Sequence, residues 1–122
     1  MKIGAIDIGT NSMRLLTTDL VDGKLIDRKK YVNTTRIGQG VDENGFITRE
    51  AMDRNINALK EYHDICVEYG CEKIYCMGTS ALRDSKNRSE FIKRAYDEAS
   101  IDVNVVDGEV EAKLGFSGVA RG

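Results

Sequence analysis

Lys2-Ile3-Gly4-Ala5-Ile6-Asp7-Ile8-Gly9-Thr10-Asn11-Ser12 is the stretch on which the reading of this chain turns. Its first seven residues pattern as an apolar strand with a single acid near the end. Small polar residues then break it before a second apolar stretch, residues 13–16. A carboxylate in an apolar strand is costly unless it is paired or hydrogen-bonded. Small residues beside it let backbone N–H groups approach an anion, and Asp7 sits where it holds a cation or that cation's water shell. Gly, Asn and Ser also make ordinary hairpin turns, so residues 9–12 read either as a turn or as a site. The position of Asp7 favours a phosphate and metal corner.

Working outward, residues 13–20 and 24–34 pattern as two further strands, with Asp22-Gly23 as the hairpin turn between them. The third strand carries Arg28-Lys29-Lys30 and is polar enough for an edge or a solvent-facing strand. A glycine-punctuated loop follows, from Arg36-Ile37-Gly38-Gln39-Gly40 to Gly45. The period then becomes helical: Met52, Ile56, Leu59, His63 and Cys66, with Tyr62 and Tyr69 beside them, form a stripe that stops at Gly70. Thr48 suits the N-cap, Glu50 the first turn and Gly70 the residue after the last turn. Residues 73–77 pattern as a short strand, followed by a brief helical turn through Arg83. A helix to about Ala99 comes next, opened by an Asn87–Glu90 capping box, with Phe91, Ala95 and Ala99 on one side. A strand over residues 101–106 and a final helix beginning near Glu109 complete the pattern. Three antiparallel strands followed by alternating helices and strands predict an α/β domain. Its mixed five-stranded sheet would have later strands that run parallel through right-handed crossovers.

A chain of 122 residues, 41% hydrophobic and 31% charged, suits one compact domain or one lobe of something larger. No apolar run is long enough to span a bilayer, and Met1-Lys2 leads straight into a strand pattern, so the expectation is a cytoplasmic chain with no membrane partner. Cys66, Cys71 and Cys76 lie five apart and match no Cys-x-x-Cys ligand spacing, which leaves free thiols. A net charge of −2 argues against a general nucleic-acid partner, because phosphate-backbone binding needs clustered positive charge. His63 has no partner nearby in sequence and reads as a packing or surface residue.

Three more groups carry chemistry in pattern. Arg36 before its Gly-Gln-Gly loop reads as a bidentate phosphate clamp or as a plain surface arginine. Thr79-Ser80-Ala81-Leu82-Arg83 follows a buried strand, at the carboxyl end where ligands of open α/β sheets bind, although Ser80 also suits a helix cap. Glu109 and Glu111 fall in the first turn of the last expected helix. The macrodipole favours acids there and lowers their pKa, so a base at that place needs burial or a neighbouring acid.

In this order the stretches resemble the Ppx/GppA family of exopolyphosphatases and guanosine pentaphosphate phosphohydrolases. The matching pieces are Gly4-Ala5-Ile6-Asp7-Ile8-Gly9-Thr10-Asn11-Ser12, Thr35-Arg36-Ile37-Gly38-Gln39-Gly40, Thr79-Ser80-Ala81-Leu82-Arg83-Asp84 with Asn87, and Gly108-Glu109-Val110-Glu111-Ala112. The resemblance implies a ribonuclease H-like lobe of the actin, sugar-kinase and heat-shock-chaperone superfamily. It implies that Asp7 positions a divalent cation, magnesium, and that Gly9, Thr10, Asn11 and Ser12 form a phosphate loop. Arg36 would contact substrate phosphates, and Thr79, Ser80 and Arg83 would line the cleft. Glu111 is similar to the base that activates water. The family has two adjacent glutamates before the alanine where this chain has Val110-Glu111, so Glu109 is the weaker candidate. The implied reaction is hydrolysis of the terminal phosphate of polyphosphate or of guanosine pentaphosphate.

Family members are longer and carry a second loop of the Asp-x-Gly-Gly-Gly-Ser type, which does not occur before Gly122. Residues 1–122 are therefore expected to be the first lobe of a two-lobe enzyme, nearly inactive alone. Apolar surface left open by a missing lobe makes self-association into a homo-oligomer a reasonable expectation. Two other readings remain: a kinase lobe of the same superfamily, and a non-catalytic phosphate-binding or interaction module.

Overall fold

Five strands form a single sheet in the order β3-β2-β1-β4-β5, where β1 is Lys2–Ile8, β2 Met13–Val21, β3 Lys24–Asn33, β4 Lys73–Gly78 and β5 Asn104–Val105. The structure, a computed structural model, describes residues 1–41 and 43–105. β1 pairs antiparallel with β2 and β2 with β3, whereas β1–β4 and β4–β5 are parallel. The helices are α1 (Arg49–Tyr69), α2 (Ser80–Arg83) and α3 (Arg88–Ala99), and a 3-10 turn spans Ile37–Gly40. The expected meander followed by parallel crossovers is therefore present.

Alternation sets which residues face the helices. Ile6 and Ile8 of β1 stand beside Leu15 and Met13 of β2, and all four are buried with Met52, Ile56 and Leu59 of α1. α3 packs on α1 and adds Phe91, Ala95 and Ala99 to the same core. Burying each large aliphatic or aromatic side chain contributes about 1.5–3 kcal/mol, so this layer dominates the stability of the domain. Asp22 and Gly23 have φ of 52° and 76°, the left-handed pair that a two-residue hairpin turn requires. α1 ends as its sequence predicts, with Gly70 at φ 92° and the Cys71 N–H bonded to the Cys66 carbonyl at 2.9 Å. Its start is capped by Thr48, whose hydroxyl accepts from the Ala51 N–H at 3.2 Å. His63 is half-buried on α1, in keeping with a packing role.

β3 stands at the sheet edge, as its polarity predicts, and the expectations from sequence are corrected at two places, Asn87 and the last strand. β3 carries a bulge: its register with β2 shifts between Thr17 and Asp19, where Asp27 takes φ 53° and the Thr18 hydroxyl bonds the Ile26 carbonyl at 2.8 Å. Asn87 does open α3, but its side chain makes no cap. Its carboxamide instead accepts from the Ile47 N–H at 2.8 Å and donates to the Ile47 carbonyl at 3.1 Å, pairing with a distant loop. The strand expected over residues 101–106 is limited, among the described residues, to Asn104–Val105. Just upstream, Ser100 at φ 57° and the bond from the Ile101 N–H to the Ala95 carbonyl close α3 and take Ile101 out of the strand. Val106 and the helix expected from Glu109 lie outside the described residues.

Candidate functional site

The carboxyl ends of β1 and β4 lie side by side, Ile8 against Gly78, so the two loops that leave them are neighbours. From β1 the chain turns through residues 9–12, closed by the Gly9 N–H bonding the Ser12 carbonyl at 3.0 Å. From β4 it enters Thr79, whose backbone N–H and hydroxyl both donate to the Ile8 carbonyl at 3.3 Å. α2 follows at once. Thr79 and Arg83 are half-buried there, and the Arg83 guanidinium meets Asp84 at 3.1 Å.

The third segment arrives from far along the chain. The Arg36 N–H donates to the Asn11 carbonyl at 3.0 Å, and the Gly38 N–H donates to the Thr10 carbonyl at 2.9 Å. A Cβ at Gly38 would overlap the Thr10 methyl group and lie 3.2 Å from the Thr10 carbonyl oxygen, so only glycine allows the two loops to approach this closely. Arg36 itself sits at φ 51°, an uncommon conformation for a side-chain-bearing residue. It is held from behind by Arg54 of α1, whose guanidinium donates to the carbonyls of Thr35 at 2.7 Å and Arg36 at 3.4 Å. Thr10, Gly38, Val41, Ala81 and Asp84 then line one shallow cavity of about 270 Å³, contributed by all three segments.

Asp7 points from β1 beside this edge, with Arg14 directly across on β2 and Met77 across on β4. Burial raises its carboxyl above the ordinary carboxylate range, and the positive charge of Arg14 opposes that rise. One oxygen, Oδ1, is buried without a hydrogen-bond partner. An orphaned carboxylate oxygen at the mouth of a loop cluster suits a cation ligand, which supplies the compensation that the protein does not. Among the described residues no group of three or more His, Cys, Asp or Glu side chains converges on a metal position.

Gly9, Thr10, Asn11, Ser12, Arg36, Thr79 and Arg83 are therefore brought to one edge of the sheet, together with the backbone of Ser80 at the start of α2. Glu109 and Glu111 lie outside the described residues. Arg54 escaped the sequence reading, because its targets are carbonyl groups 18 and 19 residues away and nothing in its neighbourhood marks them. A larger cavity of about 540 Å³ lies between α1 and α3, but its Arg94 is already paired with Asp53 at 2.7 Å and with Glu98.

A mixed sheet with three loop segments gathered at the carboxyl edge of its parallel strands defines an α/β protein of the kind whose ligands bind at that edge. Comparison with known proteins makes the class specific. The Ppx/GppA phosphatase family matches residues 18–122, and the chain belongs to that family. It is 40% identical to a bifunctional 3-dehydroquinate synthase/phosphatase of Fusobacterium nucleatum, over 94% of this chain and 18% of that protein. It is 36% identical to exopolyphosphatase 2 of Mycobacterium tuberculosis, over 96% of this chain and 40% of that protein. Among solved structures, an exopolyphosphatase from Cytophaga hutchinsonii superposes with a TM-score of 0.83 at 40% identity, over 99% of this chain and 39% of that one. The Aquifex aeolicus Ppx/GppA family member gives 0.85 at 33% identity, over 98% and 39%. The fold is thus the ribonuclease H-like, actin and sugar-kinase type that the sequence implies. The chain spans well under half the length of these relatives.

Proposed function

We propose that this chain is the first lobe of a two-lobe phosphohydrolase that removes the terminal phosphate of inorganic polyphosphate or of guanosine pentaphosphate. The observation that carries this reading is the convergence of residues 9–12, residues 36–38 and residues 79–83 beside the unpartnered Asp7 oxygen. Family membership and relatives called exopolyphosphatase or guanosine-5'-triphosphate,3'-diphosphate pyrophosphatase support the two substrates. No feature of the described residues favours a sugar-kinase reading over this one.

In this mechanism the loop at Gly9, Thr10, Asn11 and Ser12 holds phosphate oxygens through backbone and hydroxyl groups. Arg36 approaches them from the adjoining turn, and Thr79, Ser80 and Arg83 close the opposite side. Holding the phosphate chain in line for attack accounts for much of the barrier reduction in such reactions. Asp7 would hold a magnesium ion, which when bound offsets charge on the phosphate oxygens. Glu111 would take the proton from the attacking water, with Glu109 the weaker candidate. The second half of the clamp belongs to a further lobe, consistent with the small share of each relative that this chain covers. Three free cysteines fit a reducing cytoplasm as the compartment. Among the described residues no helix is long and apolar enough to cross a membrane.

The test uses the longer protein that contains this chain. Phosphate release from polyphosphate and from guanosine pentaphosphate is measured for the wild type and for Glu111→Gln. Loss of general-base catalysis should lower kcat by roughly 10²–10⁴-fold. Unchanged turnover would remove Glu111 as the base, and absence of release from both substrates in the wild type would remove the function.

A further inference from the structure

At the end of the sheet away from the site, Cys66 and Cys71 lie together across the left-handed turn at Gly70. Cys66 is fully buried and Cys71 half-buried, and neither is in a disulfide. The Cys71 N–H to Cys66 carbonyl bond, 2.9 Å, draws the two backbones together around the helix end. Both sulfurs point at the same place on β1. A Cβ built on Gly4 would lie 2.6 Å from the Cys66 Sγ and 3.5 Å from the Cys71 Sγ, so the missing side chain of Gly4 makes room for the pair. The thiols share a hydrogen bond in which the Cys66 S–H favours the Cys71 thiolate, and the Lys2 ammonium favours it too. With both sulfurs within 3.5 Å of one point on β1, the two Sγ atoms lie at most about 6 Å apart, the neighbourhood from which a disulfide closes by side-chain rotation.

We propose that Cys66 and Cys71 form a two-thiol oxidation site, in which Cys71 reacts first with a peroxide and Cys66 then closes an intrachain disulfide. The Cys71 sulfur attacks one peroxide oxygen, the O–O bond breaks and hydroxide leaves, taking up the thiol proton as water. Cys71 is then a sulfenic acid. The Cys66 sulfur attacks the Cys71 sulfur, the S–O bond breaks, and a second water leaves with the Cys66 proton. Two thiols are oxidised and one peroxide is reduced to two waters. The arrangement is that of an accessible cysteine beside a resolving one. Burial raises both thiols above their ordinary range, Cys66 to about 12, so little thiolate is present and oxidation of the pair is slow. Cys76, wholly inside the core with no thiol neighbour in this pair, is the internal control.

The 122-residue chain is exposed to hydrogen peroxide, denatured, alkylated, digested and analysed by mass spectrometry. The expected result is loss of two of the three alkylatable thiols, with a Cys66–Cys71 peptide lighter by two hydrogens and Cys76 still alkylated. Recovery of both Cys66 and Cys71 as alkylated thiols would overturn the proposal, as would oxidation of Cys71 to sulfinic or sulfonic acid with Cys66 left free. In Cys71→Ser, a change at a half-exposed position, Cys66 should stay reduced under the same treatment. Oxidation of Cys66 at an unchanged rate there would contradict the order of events.

Discussion

Asp7 is the residue on which stability and the proposed function pull in opposite directions. Its carboxyl is raised by burial, with Arg14 only partly compensating, and one oxygen finds no partner. Because its folded pKa lies above the unfolded value of 3.8, the folded chain holds the proton more tightly. The stabilising contribution is complete below that value and is lost as pH rises through the higher folded value. Asp7→Asn should therefore raise the thermal midpoint at pH 7 by roughly 2–6 °C and leave little difference near pH 3, as read by circular dichroism. A variant less stable than wild type at pH 7 would mean that the charged carboxylate is well paired in the fold. The anomaly of an acid in an apolar strand was visible in the sequence; the fact that the protein leaves it partly unpaired was not.

At the scale of elements, the loops of the site are held by backbone contacts that only particular side chains permit. Gly38→Ala would drive a methyl group into the Thr10 side chain, at a cost of about 1–3 kcal/mol for an overpacked contact. Adding Thr10→Ser removes the overlapping methyl and should recover most of the lost stability in urea unfolding. An equal cost of Gly38→Ala in both backgrounds would show that the Thr10 contact is not what constrains Gly38. Glycine in that loop was legible, but its reason was not, since Thr10 lies 28 positions earlier. The same holds for Asn87: its place at the head of α3 follows from local pattern, while its carboxamide is used by Ile47, 40 residues away. Local signals such as the Asp22-Gly23 turn, the Thr48 cap and the Gly70 stop were readable because both partners lie within a few residues. Arg54, whose partners lie 18 and 19 residues away, left no such trace.

Across the whole molecule, the order β3-β2-β1-β4-β5 puts the central strand β1 parallel to and adjacent to β4, and their carboxyl ends carry two of the three site segments. The meander and the change of period from two to 3.6 made this order readable. The late start of β5 was not, because closure of α3 takes Ser100 and Ile101 out of strand geometry. In the proposed function this edge binds phosphate beside a cation. A titration of tripolyphosphate with magnesium into the ¹⁵N-labelled chain, followed by amide shifts, tests it most directly. The predicted result is saturable shifts at Thr10, Asn11, Ser12, Gly38 and residues 79–83, weakened in Asp7→Asn. Shifts confined to the basic run at Arg28, Lys29 and Lys30, or none at all, would contradict the account.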